Sequence, residues 1–276
     1  MNQLLGEKVS IVSDKPQTTR DRILGILTRP TGQIVFVDTP GIHKPGYELN
    51  KRMMRTVYDS FDGADLVLLM VDASVPQGSG DRFVLSLIKE KAPKSLLLFN
   101  KIDLIPKQEL LPLISFYSGE YEFSEIVPIS ALKRDNLDLL ESLIFKHLPE
   151  GPAYFPGDEY TDRPERFLIS ELVRESLLHH TREELPYSTS VLIASYEDRE
   201  KLLLIHCDIY VEKESQRKIV VGRQGQTLKS IGIEARKSIE ERVGKQVHLE
   251  LYVRVKSQWR DDCRFLDNLS REAMGS

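Results

Sequence analysis

Four short strings in the first half of the chain carry residue types that could hold a phosphorylated ligand. Asp38-Thr39-Pro40-Gly41 stands directly after the apolar run Ile34 to Val37. An acidic residue at the C-terminal end of a strand lies where open α/β sheets bind ligands. Its carboxylate can hold Mg²⁺, usually through a water, and the glycine N–H can approach a terminal phosphate. Asn100-Lys101-Ile102-Asp103 follows the run Ser95 to Phe99. A carboxylate at Asp103 can accept two hydrogen bonds from the guanine edge, a donor pair that adenine lacks. The stem of Lys101 can lie along a base face, and Asn100 can tie neighbouring loops. Ser130-Ala131-Leu132 follows the run Ile126 to Ile129, where a small residue lets a backbone N–H reach a base oxygen. Pro16-Gln17-Thr18-Thr19-Arg20 precedes the run Ile23 to Leu27. A threonine hydroxyl in such a loop, Thr18 or Thr19, can join Mg²⁺ coordination when a γ-phosphate is present, with Asp38 as the second candidate ligand. Each string alone also reads as an exposed polar turn. Their order at successive strand ends is what favours a ligand.

The second half holds a different loop. Gly222-Arg223-Gln224-Gly225 precedes a helical pattern that begins near Gln226. Two glycines let phosphates approach closely, and such a loop at a helix start can clamp the backbone of unpaired nucleotides. Between Ser215 and Arg260 there are eleven Lys and Arg against four Asp and Glu, in a chain whose formal net charge is only -4. A local basic excess of this kind is the footprint of nucleic-acid binding, and a solvated helix face with a glycine turn is the plainer alternative. Lys229, Arg236 and Lys237 are the candidate helpers of the loop. Trp259 could stack on a base or pack a C-terminal helix.

Two kinds of scaffold must position these loops. Over the first 150 residues short apolar runs alternate with helical patterns at Asn50 to Phe61, Asp81 to Lys89 and Asn136 to Leu148. That alternation predicts a largely parallel sheet covered on both faces. A stretch rich in proline and glycine, 151–164, reads as a linker. Beyond it the pattern is α+β. A helix is expected over Arg166 to His180 and a hairpin over Thr189 to Tyr196 and Lys201 to Val211. The helix Gln226 to Val243 and the strand Val247 to Val255 follow. The expected organisation is therefore 1–150, 151–164 and 165–276. With 276 residues, 41% of them hydrophobic, the chain can build two cores. Cys207 and Cys263 show no metal-ligand spacing and read as reduced thiols. No apolar run reaches 18 residues, so a soluble protein is expected, with surface contact to a membrane left open.

In order, the four loops resemble the switch and base-specificity elements of translation-factor-class GTPases. The Gly222–Gly225 loop between a hairpin and a helix resembles a type II KH domain. Together, and most specifically from Lys8 to Gly25, the chain resembles the Era family, KH-containing GTPases of small ribosomal subunit assembly. The resemblance implies an α/β P-loop-type GTPase domain followed by an α+β KH domain. It makes Thr19 the switch I threonine and Asp38 and Gly41 the switch II pair. Asn100, Lys101 and Asp103 become the guanine-reading motif, and Ser130 and Ala131 complete the base pocket. GTP or GDP with Mg²⁺ is the implied cofactor. The 3′ end of 16S rRNA and the small ribosomal subunit are the implied partners. A cytoplasmic monomer with peripheral contact at the inner membrane surface is implied as well.

Two departures bear on activity. Ile42 follows Gly41, where Ras-like enzymes use a glutamine to orient the attacking water, and an isoleucine cannot do this. The string G-x-x-x-x-G-K-[ST] does not occur in the 276 residues. Its backbone N–H groups cradle phosphates, its lysine reaches the β and γ oxygens, and its hydroxyl binds Mg²⁺. The first strand of the GTPase fold, which lies mid-sheet, is missing with it. An N-terminally truncated GTPase is one reading, and loss of nucleotide binding in a single-stranded RNA-binding KH protein with a vestigial G domain is the other. On either, GTP binds weakly or not at all, hydrolysis needs a restored P-loop, and the mid-sheet gap leaves backbone unpaired. The second half reads as complete.

Overall fold

The computed structural model describes residues 1–15, 18–41, 46–91 and 94–274. The chain forms two compact units that interleave in sequence. The first comprises Met1–Lys8, Leu24–Asp38 and Arg55–Thr161, and the second Val9–Ile23, Thr39–Met54 and Asp162–Ser276.

The first unit is built on β3 (Val67–Asp72), β4 (Ser95–Asn100) and β5 (Glu125–Pro128), parallel and in that order. Between them run α3 (Ser79–Lys91) and α4 (Lys107–Glu120), and α5 (Leu137–His147) follows β5. Strand side chains alternate between faces. Leu96 and Leu98 of β4 therefore enter one apolar cluster with Val127, Leu140 and Ile144. Leu97 and Phe99 enter the opposite one with Leu85, Ile88 and Tyr117. All four β4 side chains are fully buried, as expected of a strand covered on both faces.

β1 (Ile23–Arg29) and β2 (Gly32–Asp38) form a separate two-stranded sheet. Among the described residues no ladder joins it to β3. Leu27 and Ile34 instead reach the Leu96–Leu98 cluster through side chains, together with Leu4 from the short helix α1 (Asn2–Leu5). Part of the 151–164 stretch runs along this small sheet. The Ile26 N–H donates to the Tyr160 carbonyl (2.9 Å). Gln33 Oε1 accepts from the N–H groups of Tyr154 and Phe155 (both 3.0 Å), and its Nε2 donates to the Phe155 carbonyl (2.9 Å).

In the second unit β6 (Ser190–Asp198) pairs antiparallel with β7 (Leu202–Val211), and β7 pairs parallel with β8 (Gln246–Val255). The inward residues Leu203, Ile205, Cys207 and Ile209 pack on α6 (Glu165–His180), α8 (Glu214–Val221) and α9 (Gln226–Val243) through Ile169, Val173, Val220, Ile231 and Ala235. A short turn of helix, α7 (Leu185–Ser188), precedes β6, and α10 (Cys263–Met274) ends the unit. Trp259 is fully buried beside Phe265 and donates from Nε1 to the Ser188 carbonyl (3.0 Å), so it packs the C-terminal helix.

Two early segments complete this unit. From Val9–Ile23, Arg20 donates to the carbonyls of Thr189 (2.6 Å) and Pro186 (2.7 Å). The Thr18 carbonyl accepts from Arg174 (2.5 Å), which is buried and also paired with Glu171 (2.6 Å). From Thr39–Met54, which holds the start of α2 (Glu48–Phe61), the Glu48 N–H donates to Asp261 (2.9 Å) and Arg52 pairs with Asp267 (2.8 Å). Leu49 packs on the Trp259 cluster, and Arg260 lies 3.7 Å over the Tyr47 ring. Among the described residues no helix is long and apolar enough to cross a membrane.

Candidate functional site

In the first unit the loops after β4 and β5 are tied to each other. The Ala131 N–H donates to Asn100 Oδ1 (3.0 Å), the Ile102 N–H to the Ile129 carbonyl (3.3 Å), and the Ile129 N–H to the Phe99 carbonyl (2.7 Å). Ser130 is buried, and its hydroxyl accepts from the Lys133 N–H (3.1 Å). Lys101 takes the left-handed conformation (φ 66°), which turns the chain into a short 3₁₀ segment, Ile102–Leu104, with Asp103 exposed in its first turn. Asn100, Lys101, Asp103, Ser130 and Ala131 thus share one loop pair with an acceptor carboxylate and small residues. Asp38 ends β2 in the same unit. Thr19 and Gly41 belong to the second unit. Pro16, Gln17 and Ile42 lie outside the described residues.

Asp72 was not among the residues singled out in the sequence. It ends β3 opposite Asn100 and pairs with Lys101 Nζ (2.5 Å) through Oδ2. Its Oδ1 accepts from the N–H (2.9 Å) and hydroxyl (2.6 Å) of Ser74. Partial burial works against the Asp72 charge, but the Lys101 and Ser74 hydrogen bonds outweigh it and hold the carboxyl below its usual range. The signal was present in sequence, since Asp72 ends an apolar strand as Asp38 does.

The chain contains no G-x-x-x-x-G-K-[ST] string, and among the described residues no cluster of three or more His, Cys, Asp or Glu side chains is placed to hold a metal ion.

The second site lies where α8 gives way to α9. Gly222 takes φ 73° and ψ 178°, and a Cβ there would stand 2.1 Å from the Thr227 hydroxyl, so only glycine fits. Gln224 (φ 51°) and Gly225 (φ 77°) continue in the left-handed region. The first turn of α9 has no acidic residue, which leaves its positive N-terminal end open to an anion. Beside it a groove of about 410 Å³ runs between α9 and β8. Leu228, Ile233, Leu249 and Leu251 give it apolar walls, while Lys229 and Arg236 supply charge. The apolar set was missed in sequence because each residue reads as ordinary core, yet Ile233 stays 53% exposed.

The linear charge count overstates the free charge at this face. Arg236 pairs with Glu240 (3.0 Å), Lys237 with Glu241 (3.8 Å), Arg254 with Asp208 (2.5 Å) and Lys245 with Asp198 (2.7 Å). Arg260 is half-buried against Glu212 (2.5 Å). Among the described residues Lys218, Arg223 and Lys229 form no ion pair, so the unpaired charge gathers around the loop. Lys237 does not line the groove.

Comparison with known proteins agrees with both halves. Residues 1–101 match the family model for 50S ribosome-binding GTPases, and residues 184–260 match that for KH domains. The chain is 45% identical to GTPase Era of Heliobacterium modesticaldum, over 94% of this chain and 87% of that one. It is equally 45% identical to GTPase Era of Geobacter sp. strain M21, over 99% and 92%. A crystal structure of Era in complex with MgGDPNP and nucleotides 1506–1542 of 16S ribosomal RNA matches with a TM-score of 0.90 at 40% identity, over 96% of this chain and 91% of that one. A crystal structure of a point variant of Aquifex aeolicus Era bound to GDP.AlF4⁻ matches with a TM-score of 0.90 at 39% identity, over 96% and 91%. The chain belongs to the Era family of GTPases, a GTPase domain followed by a KH domain.

Proposed function

We propose that this chain is a guanine-nucleotide-responsive, 16S rRNA-binding factor of small ribosomal subunit assembly. The Gly222–Gly225 loop carries the reading: it opens on an apolar groove beside unpaired charge, in a chain that matches an Era structure holding 16S RNA. Gly222, Arg223, Gln224 and Gly225 clamp the RNA backbone, with Lys229 and Arg236 along the groove and Lys237 as an outer charge. In the nucleotide half, Asn100, Lys101, Asp103, Ser130 and Ala131 take the base, and Thr19, Asp38 and Gly41 serve a γ-phosphate and Mg²⁺. The functional domains run 1–150 and 165–276, joined by 151–164. Hydrolysis of GTP depends on a P-loop that the 276 residues do not supply. The protein acts in the cytoplasm as a monomer, with peripheral contact at the inner membrane face.

A second reading, RNA binding that needs no nucleotide, rests on the Gly222–Gly225 loop and its groove lying within the second unit. A titration with single-stranded RNA from the 16S 3′ end tests both. Arg223→Asp with Gln224→Asp keeps the two glycines that the backbone requires and should abolish binding. Unchanged affinity sinks the KH assignment. Affinity that GDP and GTP leave equal favours the nucleotide-independent reading.

A further inference from the structure

One histidine stands between the RNA-binding helix and the segment that carries Thr19. His179 lies in the last turn of α6. Its Nδ1 is 2.6 Å from Glu234 Oε1 on α9, and its Nε2 is 3.3 Å from the carbonyl of Val12. Val12 is gripped at both ends of its backbone, because its N–H donates to Glu175 Oε1 (2.8 Å), one turn earlier on α6. The Val12 side chain takes no part and is 62% exposed.

A carboxylate and a carbonyl are both acceptors. Neutral imidazole has one N–H and one lone pair, so it can satisfy only one of them, and only the imidazolium donates to both. Transfer of that proton to Glu234 is opposed by His180, whose Nε2 sits 2.8 Å from the other carboxylate oxygen. The charged groups facing the ring are Glu234 from α9 and Glu175 and His180 from α6, and the segment Val9–Ile23 presents the Val12 carbonyl.

We propose that His179 is a proton-dependent clasp that holds the Val9–Lys15 end of the Thr19-bearing segment to α6 and ties it to the RNA-binding helix α9. With the ring charged, both bonds close. With the ring neutral, the short bond to Glu234 keeps the one proton on Nδ1, and the Nε2 lone pair then faces the lone pairs of the Val12 carbonyl. Burial works against the ring's charge, but the Glu234 bond and charge, the Val12 carbonyl and Glu175 outweigh it and raise its affinity for a proton. A raised folded value means that the clasp is fully present below the ordinary histidine range and is lost as pH rises through the folded value.

Two readings on the full chain test this. Nitrogen-15 spectra of the imidazoles should show both His179 nitrogens protonated at pH 6, with a titration midpoint above the ordinary histidine value that falls in Glu234→Gln. Hydrogen-exchange protection of the Val12 amide, corrected for intrinsic exchange, should fall about fivefold between pH 6 and pH 8.5, the worth of one hydrogen bond. His179→Gln should flatten that profile, and His180→Gln should keep its shape. A single protonated nitrogen on His179 at pH 6 overturns the clasp, and so does a protection profile that His179→Gln leaves unchanged.

Discussion

The loops of the first unit and the Gly222–Gly225 loop of the second, the two proposed sites, are held by different means. Asn100, Ala131 and Ile102 are fixed by hydrogen bonds between adjacent strand ends, on a sheet whose middle strand is buried on both faces. The glycine loop is fixed by backbone conformation, with three residues at positive φ and no room for a side chain at Gly222. The first arrangement sets an exposed carboxylate and small residues in one tied loop pair. The second sets a glycine turn beside a groove. The units also differ in what completes them. The second recruits Val9–Ile23 and Thr39–Met54 from far earlier in the chain, through Arg20, Arg174, Arg52 and Leu49.

Excision gives the largest expected effect. A fragment covering 165–276 loses the Arg20 bonds and the Leu49 packing, and should unfold at least about 3 kcal/mol more easily in urea than the same unit within the chain. Equal stability would show that the early segments add nothing. Arg20→Ala leaves the Thr189 and Pro186 carbonyls without their donor and should cost about 2 kcal/mol by the same measurement. Within the RNA-binding unit, Lys229→Ala should weaken RNA binding across sequences and lower the salt slope by about 1. The same slope change from Lys237→Ala would place the RNA path outside the groove. The smallest effect belongs to the first unit. Tyr117 is fully buried, its hydroxyl has no hydrogen-bond partner among the described residues, and burial pushes its pKa up to about 12. Tyr117→Phe removes a desolvated group and should change stability by less than about 0.5 kcal/mol. A loss of several kcal/mol would reveal a hidden partner for that hydroxyl.

Local chemistry was legible in sequence where it acts over a few residues. The helix Gln226–Val243 was expected at both its observed ends, because left-handed glycines, Gly225 and Gly244, close it on each side. The run Ser95 to Phe99 announced a buried strand by continuous apolarity. α4 escaped, since Pro112 sits inside it and its apolar residues form no clean stripe. α8 escaped because it is only 8 residues long. The loops at 100–103, 130–131 and 222–225 were readable from spacing as turns at element ends, whereas Asp72 needed the pairing of β3 with β4 to become visible. The interleaving of the units was beyond sequence reasoning. It rests on contacts such as Arg20 to Thr189, 169 residues apart, and on ion pairs that neutralise much of the basic run from 215 to 260.

The proposed contrast between a base-reading loop pair and an RNA-binding loop is tested most directly by calorimetry of this chain with guanosine and with GTP·Mg²⁺. With no G-x-x-x-x-G-K-[ST] string in the 276 residues, Thr19, Asp38 and Gly41 alone should add little affinity for the phosphates, so the two dissociation constants should agree within about threefold. GTP binding a hundredfold tighter than guanosine would show that residues other than a P-loop hold the phosphates, and would contradict the division drawn between the two sites.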